Sequence, residues 1–73
     1  MNIMVTGCSG FVGLNVCKDL LIRGYNVIGI SRSRPQNILD NNFSFYEADI
    51  TNPKSLANVF SNNQVDCIIH LAA

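Results

Sequence analysis

Apolar positions along this chain gather into short blocks separated by polar turns. Asn2-Ile3-Met4-Val5, Tyr25-Asn26-Val27-Ile28-Gly29-Ile30 and Val65 to Leu71 are nearly unbroken apolar runs of strand length. They are β-branched and show little in–out alternation, as strands buried on both faces do. Phe43-Ser44-Phe45-Tyr46-Glu47-Ala48 alternates loosely and reads as a further strand. Between the first two runs the period changes. Asn15, Lys18, Asp19 and Arg23 recur at helical spacing, which predicts a helix over Phe11 to Arg23 with one wet face. Val12, Val16, Cys17, Leu20 and Leu21 are its predicted buried side, and Arg23-Gly24 is its stop. A second helix starts at Asn52-Pro53, a capping side chain followed by proline at the first helical position. It carries the apolar set Leu56, Val59 and Phe60 and ends at Asn62-Asn63. Pro35 to Asn42 reads as a loop with at most a turn or two of helix, because Pro35, Asn37, Asp40, Asn41 and Asn42 favour turns.

The join between the first strand and the first helix is Thr6-Gly7-Cys8-Ser9-Gly10-Phe11-Val12-Gly13. Three glycines stand where a strand must reverse tightly into a helix. The first permits the turn, the second lets backbone N–H groups approach a ligand, and the third lets helix and strand pack closely. The opening N–H groups of a helix have no intrahelical partner and carry partial positive charge. A pyrophosphate satisfies both conditions, so the turn reads as a dinucleotide site. The spacing, G-x-x-G-x-x-G, is one residue longer in its first interval than the usual fingerprint, and the strand–turn–helix–strand context supplies the specificity.

Thr-Gly-x-x-Gly-Phe-x-Gly near the N-terminus resembles the extended short-chain dehydrogenase/reductase family of NAD(P)-dependent epimerases and dehydratases acting on nucleotide sugars. Two further stretches agree. Asp66-Cys67-Ile68-Ile69-His70-Leu71-Ala72-Ala73 is similar to that family's fourth strand with its His-x-Ala-Ala ending, and Ala48-Asp49-Ile50-Thr51 to the segment that lies against adenine. The resemblance covers all 73 residues but only the beginning of the family's fold. It implies an α/β domain over residues 1–73, part of a Rossmann-type doubly wound parallel sheet with strand order 3-2-1-4, truncated after strand 4. It further implies that Gly7, Cys8, Ser9, Gly10, Phe11, Val12 and Gly13 surround the pyrophosphate. Asp49 and Ile50 would take adenine, the first through its carboxylate and the second through its amide. Leu71, Ala72 and Ala73 would run beneath the ribose on the nicotinamide side. Asp49 has a competing use, capping the turn that follows it.

The residues after the second strand bear on cofactor choice. A free ribose 2′-hydroxyl wants an acidic partner there. This chain has Ser31-Arg32-Ser33-Arg34 instead. Guanidinium groups bind phosphate in bidentate fashion, so the reading favours NADP(H), with NAD the alternative. Ser31 and Arg32 lie nearest the 2′-phosphate and Arg34 is a helper.

Composition narrows the function classes. Hydrophobic residues make up 48% and charged residues 14%, with five basic and five acidic side chains balancing to zero. No basic stripe points to nucleic acid and no polybasic run to a membrane surface. Met1-Asn2-Ile3-Met4 lacks the positive start of a signal peptide, so cytoplasm is the expected location. Cys8, Cys17 and Cys67 are odd in number and widely spaced, which favours neither a disulfide framework nor a zinc site. Cys67 and His70 stand three apart on a strand and so face opposite ways. Cys8, close to a helix N-terminus, could have a lowered pKa, but it reads better as a small loop filler.

No nucleophile–base pair, paired carboxylates or metal cluster is evident. In the family resembled, a Ser or Thr and a Tyr-x-x-x-Lys pair do the chemistry. Neither Tyr25 nor Tyr46 has lysine four residues later, so no catalytic residue is assigned and enzymatic activity of this chain alone stays open. An apolar fourth strand at a sheet edge is an aggregation hazard, and stability is expected to be marginal. The expectation is a cofactor-binding fragment whose strand-4 edge meets the remainder of the domain or a partner. The alternative is a non-catalytic nucleotide-binding or protein-interaction module.

Overall fold

The computed structural model describes residues 1–35, 38 and 40–72. Asn37, expected in a turn, and Ala73, expected beneath the ribose, lie outside the described residues. The elements are β1 (Asn2–Thr6), α1 (Phe11–Ile22), β2 (Asn26–Ser31), β3 (Phe43–Glu47), α2 (Pro53–Asn62) and β4 (Cys67–His70). All four strands form one parallel sheet in the order β3-β2-β1-β4. That is the expected order, and the match to a Rossmann-type fold holds.

Strand alternation explains why β1 and β2 are apolar throughout. Ile3, Val5 and Val27 join Cys8, Cys17 and Ile38 in a core on one face, packed by Leu14, Val16, Leu20 and Leu21 of α1. Met4, Ile28 and Ile30 point the other way, into a core with Ala48 and Val59, packed by Leu56 of α2. One sheet thus feeds two cores, with α1 over one and α2 over the other. Gly29 serves the first core by making room: a Cβ there would meet the Phe43 ring at 2.8 Å and the Cys8 sulfur at 2.9 Å.

The start of α2 and the stop of α1 have the causes read in the sequence. Asn52 Oδ1 accepts from the Lys54 amide at 3.0 Å, with Pro53 at the first position. Gly24, at φ 90°, follows the last turn of α1. Its amide donates to the Leu21 carbonyl at 3.0 Å and the Tyr25 amide to Leu20 at 3.1 Å, the pairing of a Schellman stop. The buried face of α1 is the expected one at Val16, Cys17, Leu20 and Leu21 and departs from expectation at Val12. Gly13 and Cys17 are its buried residues, while Val12 is 59% exposed. Gly13 presses directly on the turn below it, and that orientation turns Val12 outward with Phe11.

Candidate functional site

The C-terminal ends of the four parallel strands meet around Gly7. The amides of Gly7 and Cys8 both donate to the Ile30 carbonyl, at 2.9 and 3.3 Å, tying the turn to the end of β2. Thr6, the buried polar residue of β1, ties it to β4. Its Oγ1 accepts from the Leu71 amide at 3.0 Å and the Ala72 amide at 3.4 Å, and lies 2.7 Å from His70 Nδ1. With both lone pairs engaged by amides, the Thr6 hydroxyl proton is left for His70 Nδ1. The sequence reading missed this role. A lone hydroxyl closing an apolar strand was the available signal.

The three glycines of the turn separate by cause. Gly7 adopts φ 72°, and a Cβ on it would meet the Ala72 amide nitrogen at 2.9 Å, so the turn and the chain leaving β4 both demand glycine. A Cβ on Gly13 would lie 2.0 Å from the Gly7 carbonyl oxygen. Gly10 is different. Its φ of −73° suits any residue, and an added Cβ would meet only the Gly7 oxygen, at an ordinary 3.5 Å. Nothing among the described residues requires glycine there. Gly10 is also the N-cap of α1 and offers no capping side chain, so the helix begins with uncapped amides. Among the described residues no acceptor satisfies the amides of Phe11 and Val12. The donor set and the bare approach over Gly10 fit an anionic phosphate group.

Beside this turn lies a cleft of about 330 Å³. Gly7 and Ser9 border it from the turn, Ser31, Arg32 and Ser33 from the end of β2, Ala48, Asp49 and Ile50 from the end of β3, and Ala72 from the chain after β4. Three separate motifs therefore converge on one hollow. Ser33 is an addition to the residues singled out in sequence. Cys8 and Gly13 are buried behind the turn, Leu71 uses its amide on Thr6, and the side chains of Phe11 and Val12 stand outside the cleft. Arg34, expected to assist Arg32, instead lies over the Phe45 ring, 5.5 Å from its centroid. The Ser31 hydroxyl donates to the Ser33 carbonyl.

Asp49 takes up the turn-forming use, one of the two considered for it. Oδ1 accepts from the Thr51 amide at 2.9 Å and the Thr51 hydroxyl at 2.7 Å, forming the turn before α2. Oδ2 faces Arg32 Nη2 across 3.8 Å. The Thr51 hydrogen bonds, with a smaller contribution from Arg32, hold this carboxyl below its ordinary pKa. The thiols behave oppositely. Burial raises Cys8, and burial with the nearby Cys8 pushes Cys17 up to about 12. Desolvation outweighs any help from the helix terminus, so Cys8 fills space. Among the described residues no group of three His, Cys, Asp or Glu could hold a metal ion. No helix among them is long and apolar enough to cross a membrane.

Comparison with known proteins gives a consistent answer. UDP-glucose 4-epimerase of Bacillus subtilis is 31% identical over 81 residues, covering 99% of this chain and 24% of that protein. The crystal structure of UDP-glucose 4-epimerase from Thermotoga maritima with UDP-glucose superposes with a TM-score of 0.85 at 36% identity, over 100% of this chain and 24% of that one. A short chain dehydrogenase from Leptospira borgpetersenii with bound NAD+ gives a TM-score of 0.91 at 28% identity, over 99% of this chain and 31% of that one. The chain thus spans about a quarter to a third of the length of these relatives. The sequence profile for the NAD dependent epimerase/dehydratase family matches residues 3–73, and the chain belongs to that family.

Proposed function

We propose that this chain binds the dinucleotide NAD(P) and forms the cofactor-binding part of an epimerase, dehydratase or reductase acting on nucleotide sugars or related carbonyl compounds. One observation carries the reading. Gly10 is a glycine the fold does not need, set at a helix start whose first amides have no acceptor. Those amides and the bare backbone of residues 7–13 would hold the pyrophosphate. Asp49 Oδ2 and the Ile50 amide would take adenine, Ser31 and Arg32 the adenosine ribose, and Leu71 to Ala73 the nicotinamide side. Bound nicotinamide would supply hydride transfer. The chain's own residues bind and orient, with no acid–base pair assigned among them.

Arg32 in place of an acid supports NADP(H) over NAD, whereas the Leptospira relative carries NAD+. Substrate class rests on the relatives, whose named activity is UDP-glucose 4-epimerization. Titration calorimetry of the 73-residue chain with NAD+ and with NADP+ tests the proposal. Saturable one-to-one binding of either supports it. Absence of heat with both at millimolar concentration refutes it.

A further inference from the structure

The cleft carries two charged side chains, Arg32 and Asp49, and they face one another. The parallel pairing of β2 with β3 brings them together. Ser31 stands level with Glu47, so Arg32 follows one step beyond that pair and Asp49 two steps. Asp49 is not free to turn away. Its Oδ1 is fixed by the Thr51 amide and hydroxyl, which aims Oδ2 at Arg32 Nη2 at 3.8 Å. Arg32 is held by little else, since its side chain is 80% exposed. Arg34, the other cation of the loop, is on Phe45.

Resting on the dinucleotide reading above, we propose that Asp49 is a specificity-determining positioning residue that acts through Arg32. By holding the guanidinium across the cleft, it leaves the pair neutral overall, so the rim accepts a ribose 2′-hydroxyl as well as a 2′-phosphate. A 2′-phosphate must share Arg32 with a carboxylate that is itself anionic, and this caps the preference for NADP(H). A 2′-hydroxyl carries no charge and loses nothing by the pairing. Freed from Asp49, Arg32 would shift the site toward the phosphorylated cofactor.

The variant Asp49→Asn tests this. Its carbonyl oxygen can still accept from Thr51, while its amide group replaces the carboxylate oxygen that faces Arg32. Any loss at adenine falls equally on both cofactors, so the readout is the ratio of NADP+ to NAD+ affinity, measured in parent, D49N, R32A and the double variant. D49N should raise the ratio about fivefold or more, the size expected of an exposed ion pair plus relief of repulsion. The rise should be smaller in the R32A background, and added salt should compress it. An unchanged or lowered ratio in D49N overturns the proposal, as does an equal rise with and without Arg32. Asp49→Ser, which also preserves a turn-forming oxygen, provides the same comparison should D49N fail to fold. Failure of the parent to bind either cofactor refutes the dinucleotide reading itself, a result distinct from an unmoved ratio.

Discussion

Gly10 and Gly13 are indistinguishable as letters in a motif, yet the structure predicts opposite consequences for replacing each by alanine. At Gly13 the new Cβ would sit 2.0 Å from a backbone oxygen and 2.8 Å from its carbon, so the turn must retreat by about 1 Å. Alanine in a helix interior gains about 1 kcal/mol over glycine. Forcing backbone aside costs about 1–3 kcal/mol or more, and here the obstacle is also anchored to β2 by the Gly7 and Cys8 amides. With the cost at the top of that range, the net loss should be about 2 kcal/mol, a Tm drop of roughly 8–16 °C for a chain this short. At Gly10 the Cβ meets nothing closer than 3.5 Å and the backbone needs no rearrangement. A poorer N-cap costs a few tenths to about 1 kcal/mol, and the stiffer unfolded chain returns about as much. Gly10→Ala should therefore keep Tm within about 5 °C while weakening dinucleotide binding at least about tenfold. Thermal and urea unfolding followed by circular dichroism, with calorimetric titration of the folded variants, gives both numbers. Two results would refute the reasoning: a Gly13→Ala protein as stable as the parent, or a folded Gly10→Ala protein with undiminished affinity.

Replacing Arg32 by alanine should weaken NADP+ about tenfold and NAD+ by less than about threefold, because a guanidinium–phosphate pair is lost only with the former; equal losses in calorimetry would remove Arg32 from the 2′ position. Thr6→Val keeps the shape but leaves the Ala72 amide without its acceptor and weakens the hold on Leu71, costing about 1–3 kcal/mol. Faster amide exchange at Leu71 and Ala72 by NMR is the expected sign, and unchanged exchange would count against the clamp. The Cys17 thiol is neutral in the fold up to about 12, whereas the unfolded chain ionises near its ordinary 9.0. Its stabilising contribution is complete below that lower value and is lost as pH rises toward the upper one. Urea midpoints should fall between about pH 9 and 11, and less steeply in Cys17→Ala, leaving the share due to Cys8; parallel slopes in the two proteins would contradict this.

The six elements were legible because each rests on local signals that the tertiary structure leaves intact. Strand-length apolar runs gave β1 and β2, and Asn52-Pro53 and Gly24 marked helix ends that hydrogen bonds now explain. The buried stripe of α1 was less legible. A 3.6-residue period identifies the wet face, but Phe11, Val12 and Ile22 are apolar and exposed, so apolarity alone does not single out the side facing the sheet. Contact with the turn decides it, and the residue making that contact is a glycine, invisible to a hydrophobicity pattern. Thr6 was likewise hidden, since its partners Leu71 and Ala72 are more than sixty residues away.

The candidate site divides along the same line. Motifs that fold as local turns could be placed from sequence, and Gly7, Asp49 and Ala72 do border one cleft. What local reading could not supply is which side chain each cation meets. Arg32 and Arg34 stand two residues apart in one loop, and charge alone assigns them the same phosphate. The sheet sends them to different fates. β3 lies beside β2 with Phe45 level with Gly29 and Glu47 level with Ser31. Arg34 finds an aromatic face at Phe45, while Arg32, just past the paired ends, meets the carboxylate that Thr51 aims at it. A shift of β3 by one residue would reverse the faces of Phe45 and Glu47 and undo both contacts. On the proposed reading, cofactor preference in this chain would depend on strand register as much as on the residues after β2. It follows that an acid missing from the end of β2 is weaker evidence for a phosphorylated cofactor when β3 delivers one to the same rim.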